Sequence, residues 1–349
     1  MTALAGIIGH GAVVELLTGD LSRPAQAYLF VGPSNVGKGT VALRFAASLV
    51  GGDDPNAVRR ALERSHPDLV VVEPSGRASI TVDQARTVVA QASRRPYEAD
   101  LQVFLFEEAG LLNDEAANAL LKTLEEPTSS TVFVLVAESA DDLPSTVASR
   151  CRTVVFGRVP EDEVAAGLRA AGIAEEQATR AAAVCGGRPG LALDLATQPE
   201  VAAFRALWLG IGVRVPEHPG EAYRLADEVI EATKPLLSGL VERHRTEADP
   251  EAGKALKERQ ARELKRASDA LYATGLEILA SFYRDAAAAQ LGAPVRNKDI
   301  PVATLTAVSP RRAVAAADRV LATIEALRAN QRPHLALAAM FAELGSDAD

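Results

Sequence analysis

Gly32-Pro33-Ser34-Asn35-Val36-Gly37-Lys38-Gly39-Thr40 follows directly on the apolar run Ala27 to Val31 and opens a helical pattern from Lys38 to Leu49. A buried strand, a glycine-rich turn and a helix start in that order make a phosphate-cradling loop. Glycines let backbone N–H groups converge on phosphate oxygens, Lys38 supplies a cation for the β and γ phosphates, and the helix N-terminus adds its dipole. Gly32, Asn35, Val36, Gly37, Lys38, Gly39 and Thr40 are therefore the candidate nucleotide-binding residues. The position after the lysine, where a hydroxyl normally ligates Mg²⁺, is Gly39, with Thr40 one place late. Because the backbone cradle and Lys38 do not need that hydroxyl, the pattern keeps the means to bind ATP and weakens the means to hold Mg²⁺.

Working outward, Leu69 to Glu73, Gln102 to Phe106 and Thr131 to Val136 also read as buried strands, and Val82 to Ser93 and Asp114 to Glu125 place apolar residues three and four apart. Strands alternating with helices predict a parallel sheet covered on both faces, an α/β P-loop domain. The strand Gln102 to Phe106 ends in Glu107-Glu108. In P-loop ATPases an acidic pair at such a strand end holds the metal and polarises the attacking water, which makes Glu107 the candidate Mg²⁺ ligand and Glu108 a candidate catalytic carboxylate. Glu107 replaces the usual Asp, and its extra methylene suits octahedral Mg²⁺ poorly.

Beyond Pro160 the pattern is helical: Pro160 to Gly172, Ala174 to Cys185 and Gly190 to Leu195 form a small module, and longer periods follow at 202–209, 220–246, 251–291, 311–330 and 333–344. This predicts three domains: residues 1–158 as the α/β domain, 159–199 as a small helical domain, and 200–349 as an all-helical domain. The segment 243–266 mixes both charge signs, as a solvated helix would, with a partner or nucleic-acid contact as the other reading.

Composition narrows the function classes. The 349 residues are 48% hydrophobic and 24% charged, which suits a globular protein, and the net charge of −9 disfavours a free-standing duplex-DNA binder. Two cysteines, Cys151 and Cys185, and five scattered histidines argue against a disulfide framework and against a zinc site. No apolar stretch reaches membrane-spanning length, and the first twenty residues carry no Lys or Arg, so a cytoplasmic location without membrane contact is expected.

The run Asn118-Ala119-Leu120-Leu121-Lys122-Thr123-Leu124-Glu125-Glu126-Pro127, then Leu143-Pro144-Ser145-Thr146 and Ser149-Arg150-Cys151, resembles the clamp-loader branch of the AAA+ ATPases. Gln26-Ala27-Tyr28-Leu29-Phe30, His66-Pro67-Asp68 and Gly186-Gly187-Arg188-Pro189-Gly190 extend the resemblance, and Leu279 to Asp285 and Asn330 to Leu337 are similar to the helical collar of those subunits. The resemblance implies a subunit of the hetero-pentameric machine that places a ring-shaped sliding clamp on primed DNA, with the other loader subunits as partners. It also implies that Arg150 projects as an arginine finger toward nucleotide on a neighbouring subunit, and that Arg188 sits where related proteins carry a phosphate sensor. The chain departs from the pattern in three places. Gly51 to Ser65 lacks the four-cysteine zinc module of many members, Val136-Ala137-Glu138-Ser139 lacks the water-orienting Thr or Asn, and Gly39 and Glu107 alter the metal positions. These departures favour weak or absent ATPase activity of the chain's own. Two alternatives stand beside this reading: the active ATPase motor subunit of the same loader, and an adenylate-kinase-like nucleotide kinase, whose loop also reads Gly-Lys-Gly-Thr.

Overall fold

The computed structural model describes residues 3–33, 35–74, 79–196, 200–214, 216, 218–238, 240–242, 254–295, 297 and 300–346. These divide into two compact units. The first comprises Met1–Gly172 with Gly187–Gly190, and the second Ile173–Gly186 with Leu191–Asp349.

In the first unit β1 (Ala27–Val31), β2 (Leu69–Val72), β3 (Gln102–Phe106), β4 (Thr131–Val136) and β5 (Arg152–Val155) form one sheet in the order β2-β3-β4-β1-β5. Every pairing is parallel, with Leu29 opposite Leu135 on one side and Thr153 on the other. The period of two sends alternate side chains into two cores. Tyr28, Phe30, Val103, Leu105, Val132 and Val134 pack with Leu17 of α1 (Gly11–Asp20) and with Val41, Phe45 and Leu49 of α2 (Lys38–Gly51). Leu29, Phe104, Phe106, Phe133 and Leu135 pack on the other face with Ala85 and Val88 of α4 (Val82–Ala92) and Leu120 and Leu124 of α5 (Asp114–Glu125). This three-layer α/β arrangement is the expected parallel sheet covered on both faces.

Three elements of this unit carried no recognised signal. The edge strand β5 exposes three of its four residues, so it lacks the apolar run that marked β1 to β4. Helix α1 carries no side-chain cap, and α3 (Pro55–Leu62) starts on Asp54, whose carboxylate accepts from Asn56 N–H. That Asp-Pro start was a legible cap signal. Downstream, α6 (Ser145–Ala148) and α7 (Glu161–Ala170) complete the described helices of this unit, apart from the start of α9.

The second unit is helical: α8 (Glu175–Val184), most of α9 (Pro189–Ala196), α10 (Glu200–Ile211), α11 (Pro219–Thr233), α12 (Lys254–Gln290), α13 (Val302–Thr306), α14 (Pro310–Arg328) and α15 (Pro333–Ser346). The continuous helix expected over 220–246 breaks at Thr233, and a single tight turn follows at Pro235–Leu237 because proline has no N–H for the ladder. Residues 243–253 of the charged segment, and 197–199 at the expected boundary between the second and third domains, lie outside the described residues. The collar-like motifs have structural explanations. Asp285, wholly buried, accepts from Asn297 N and Nδ2 at 2.7 and 2.9 Å and from Arg284 Nε at 3.1 Å, while Arg205 donates to Asn297 Oδ1. Asn330, at φ 61°, ends α14, and Pro333 starts α15.

Gly275 lies against the buried Trp208, and a Cβ there would stand 1.9 Å from Trp208 Cε2. Gly275→Ala is expected to destabilise the second unit by about 2 kcal/mol, since overpacking outweighs the gain in helix propensity. A urea midpoint at or above the wild-type value would contradict this. No helix among the described residues is long and apolar enough to cross a membrane.

Candidate functional site

The phosphate loop leaves the carboxyl end of the inner strand β1, beside β4, where the strand order reverses and open α/β sheets place ligands. Gly32, at φ 148°, turns the chain so close to β5 that a Cβ would stand 2.1 Å from the Phe156 carbonyl oxygen. Asn35 (φ 61°) and Gly37 (φ 103°) adopt the left-handed region, and Gly37 heads α2 with no side-chain cap. The first amides of α2 are thus left for an external acceptor, and a phosphate oxygen is the matching one. Val36 is buried, and its carbonyl lies 2.8 Å from His10 Nε2, which ties the loop to the segment before α1. Thr40 and Asn35 are exposed, and Gly39 is half-buried.

Lys38 is only 7% exposed. Its ammonium donates to the carbonyls of Gly32 at 2.7 Å and Pro33 at 2.6 Å, so the cation is held over the loop. Burial lowers its pKa, partly offset by the negative charges of Glu138 and Asp142. Neither carboxylate belongs to a motif that the sequence makes legible. The Ser139 hydroxyl accepts from Asp141 N–H at 3.2 Å and caps a short turn, while Asp142 accepts from the N–H groups of Glu138 and Ser139. Ser139 therefore acts as a cap in this structure.

Glu107 and Glu108 stand at the carboxyl end of β3, as expected, but Glu107 is already engaged. Arg64 Nη2 donates to Glu107 Oε1 at 2.9 Å, and Arg64 Nη1 donates to Glu73 Oε1 at 3.2 Å. Glu108 heads the turn Ala109–Leu111. With Gly39 in place of a hydroxyl and an arginine on Glu107, the residues do not fit an octahedral magnesium ion. No group of three or more His, Cys, Asp or Glu among the described residues could hold a metal.

At the other end of the sheet, Arg150 closes the turn after α6. Its Nη1 donates to the Thr146 carbonyl at 2.6 Å and its Nη2 to Glu125, at the end of α5. Arg150 and Glu125 border an open cleft of about 760 Å³ that Gln26, Leu124 and Arg152 also line. Arg152 in turn grips Asp20 through two hydrogen bonds, and Asp20 accepts from the Tyr28 hydroxyl. β1 separates this cleft from the phosphate loop by roughly 16 Å at 3.3 Å per residue. Cys151 is pushed up to about 11 by burial and is a poor nucleophile at neutral pH. Arg188 is buried and directly precedes α9, after the two left-handed glycines Gly186 and Gly187.

His66-Pro67-Asp68 proves to be a structural clamp. Asp68, 1% exposed, accepts from the backbone N–H groups of Tyr97, Glu98 and Ala99 at 2.6, 2.9 and 2.9 Å. Burial alone would raise its pKa; the three donors and His66 outweigh that and leave it below its ordinary value. His66 Nδ1 accepts from Asp68 N–H, which puts the ring proton on Nε2, 3.0 Å from Glu98.

Residues 10–160 match the family model described as DNA polymerase III, delta subunit. DNA polymerase III subunit delta' of Bacillus subtilis is 36% identical over 153 residues, covering 41% of this chain and 46% of the relative. The Escherichia coli subunit delta' is 32% identical over 163 residues, covering 46% and 48%. The chain thus spans about half the length of the curated relatives it matches. Among solved structures, a DNA polymerase III gamma subunit-related protein from Thermotoga maritima aligns over 95% of this chain and 98% of its own, with 17% identity and a TM-score of 0.47. The likeness to the DNA polymerase III delta family lies in residues 10–160, which hold the phosphate loop, the Glu107–Glu108 pair and Arg150.

Proposed function

We propose that the chain is a delta'-type subunit of a bacterial clamp loader, working in the cytoplasm with delta and gamma/tau subunits in a hetero-pentamer that places a sliding clamp on primed DNA. In this reading Arg150 acts in trans as an arginine finger. The observation that carries it is the placement of Arg150 at the opposite end of the sheet from the chain's own phosphate loop. A guanidinium there is out of reach of its own Lys38 and stands beside an open cleft, where a neighbour's γ-phosphate can meet it. The domains 1–158, 159–199 and 200–349 serve as ATPase-like body, lid and collar in this assembly, and Arg188 senses phosphate from the lid.

The chain's own site supports binding without turnover. Lys38 and the α2 amides suit a polyphosphate, whereas Gly39, Ser139 and the paired Glu107 supply neither a metal site nor an oriented water. Purified alone, the chain is expected to bind ATP weakly and to hydrolyse it at the background rate. Brisk Mg²⁺-dependent turnover abolished by Lys38→Ala would overturn this half of the reading and favour the motor subunit. Co-purification with the organism's other loader subunits tests the assembly itself.

A further inference from the structure

One planar guanidinium spans the carboxyl ends of β2 and β3. Arg64 donates through Nη2 to Glu107 and through Nη1 to Glu73. The three side chains are 33%, 23% and 34% exposed, so water screens them less than it screens a surface pair. Arg64 reaches this position from a left-handed backbone, φ 59°, held by its N–H on the Ala61 carbonyl and by Ser65 N–H on Arg60. A guanidinium cannot lose its charge at any pH a folded protein meets. Mg²⁺ and Mn²⁺ take oxygen ligands, Mg²⁺ at about 2.0–2.1 Å, so an ion approaching Glu107 Oε1 must first expel this fixed charge.

We propose that Arg64 is the resident cation of the acidic strand ends: it occupies at Glu107 the place of a divalent ion, and Glu107 binds no metal while Arg64 is present. Glu107 is then a structural anchor that ties the edge strand β2 to β3 through Arg64. The inference needs neither nucleotide nor partner, so it stands or falls separately from the clamp-loader reading.

The test is titration of the full-length chain with Mn²⁺ alone, with free and bound ion read by electron paramagnetic resonance. Wild type and Glu107→Gln are expected to bind Mn²⁺ equally. Arg64→Gln, which takes the cation off Glu107, is expected to gain a site about tenfold tighter than any in wild type, and Arg64→Gln/Glu107→Gln to lose it. A wild-type Mn²⁺ site removed by Glu107→Gln overturns the proposal, and so does a folded Arg64→Gln variant that gains nothing. Circular dichroism establishes folding. If Arg64→Gln does not fold, the comparison of wild type with Glu107→Gln alone decides.

Discussion

Asp68→Ala is expected to lower the stability of the chain by about 3–5 kcal/mol, which corresponds to a fall in melting temperature on the order of 10 °C for a unit of this size. The loss comes from unmet donors. A single carboxylate accepts from Tyr97, Glu98 and Ala99 N–H and lies beside the ring of the buried His66. Alanine deletes the acceptor for three amides at once, at a residue only 1% exposed, where water cannot easily replace it. Calorimetry on the full-length variant checks the magnitude, and a loss under 1 kcal/mol would show that the loop re-pairs elsewhere. Asp68→Asn keeps one acceptor oxygen and should cost less.

The pH dependence has a definite sign. The folded carboxyl titrates below its ordinary value of 3.8, so the unfolded chain takes up the proton first. The stability Asp68 contributes is therefore whole above about pH 5 and drains away as the pH falls through 3.8 toward the folded pKa. The gap between wild type and Asp68→Asn should narrow over that acid range and stay constant near neutrality.

Arg150→Ala is expected to leave the subunit folded and assembled while lowering ATP turnover at the neighbouring site by on the order of 10³, the effect of losing a principal arginine finger. Folding should survive because the side chain is one-third exposed, and its pair with the half-exposed Glu125 is of the kind that contributes little. Other sites in a multi-subunit ring dilute the bulk rate, so the measurement is DNA-stimulated turnover and clamp loading by the reconstituted complex. Arg150→Lys should rescue poorly, since an ammonium cannot present a planar fork to phosphate oxygens. Normal loading by an assembled Arg150→Ala complex would reduce Arg150 to a partner of Glu125 and Thr146.

The sequence by itself determined the α/β body and its phosphate loop, because those features are local. β1, β3 and β4 are mainly apolar runs buried on both faces, β2 is wholly apolar, and a strand followed by glycines and lysine at a helix start is the local pattern of a phosphate cradle, within nine residues. Arg150 stands out in the sequence for a similar reason, within motifs contiguous in the chain. The tertiary structure alone decided who pairs with whom. Arg64 and Glu107 are 43 residues apart, Asp68 and Ala99 are 31, and Arg150 and Glu125 are 25, and no spacing rule links such distant residues. Edge strand β5 escaped notice because solvent, rather than apolar packing, meets most of its side chains. The roles of Glu107 and Asp68 follow from this: one reads as a metal ligand until the fold lays an arginine across it, and the other as a motif residue until folding brings three amides to its carboxylate.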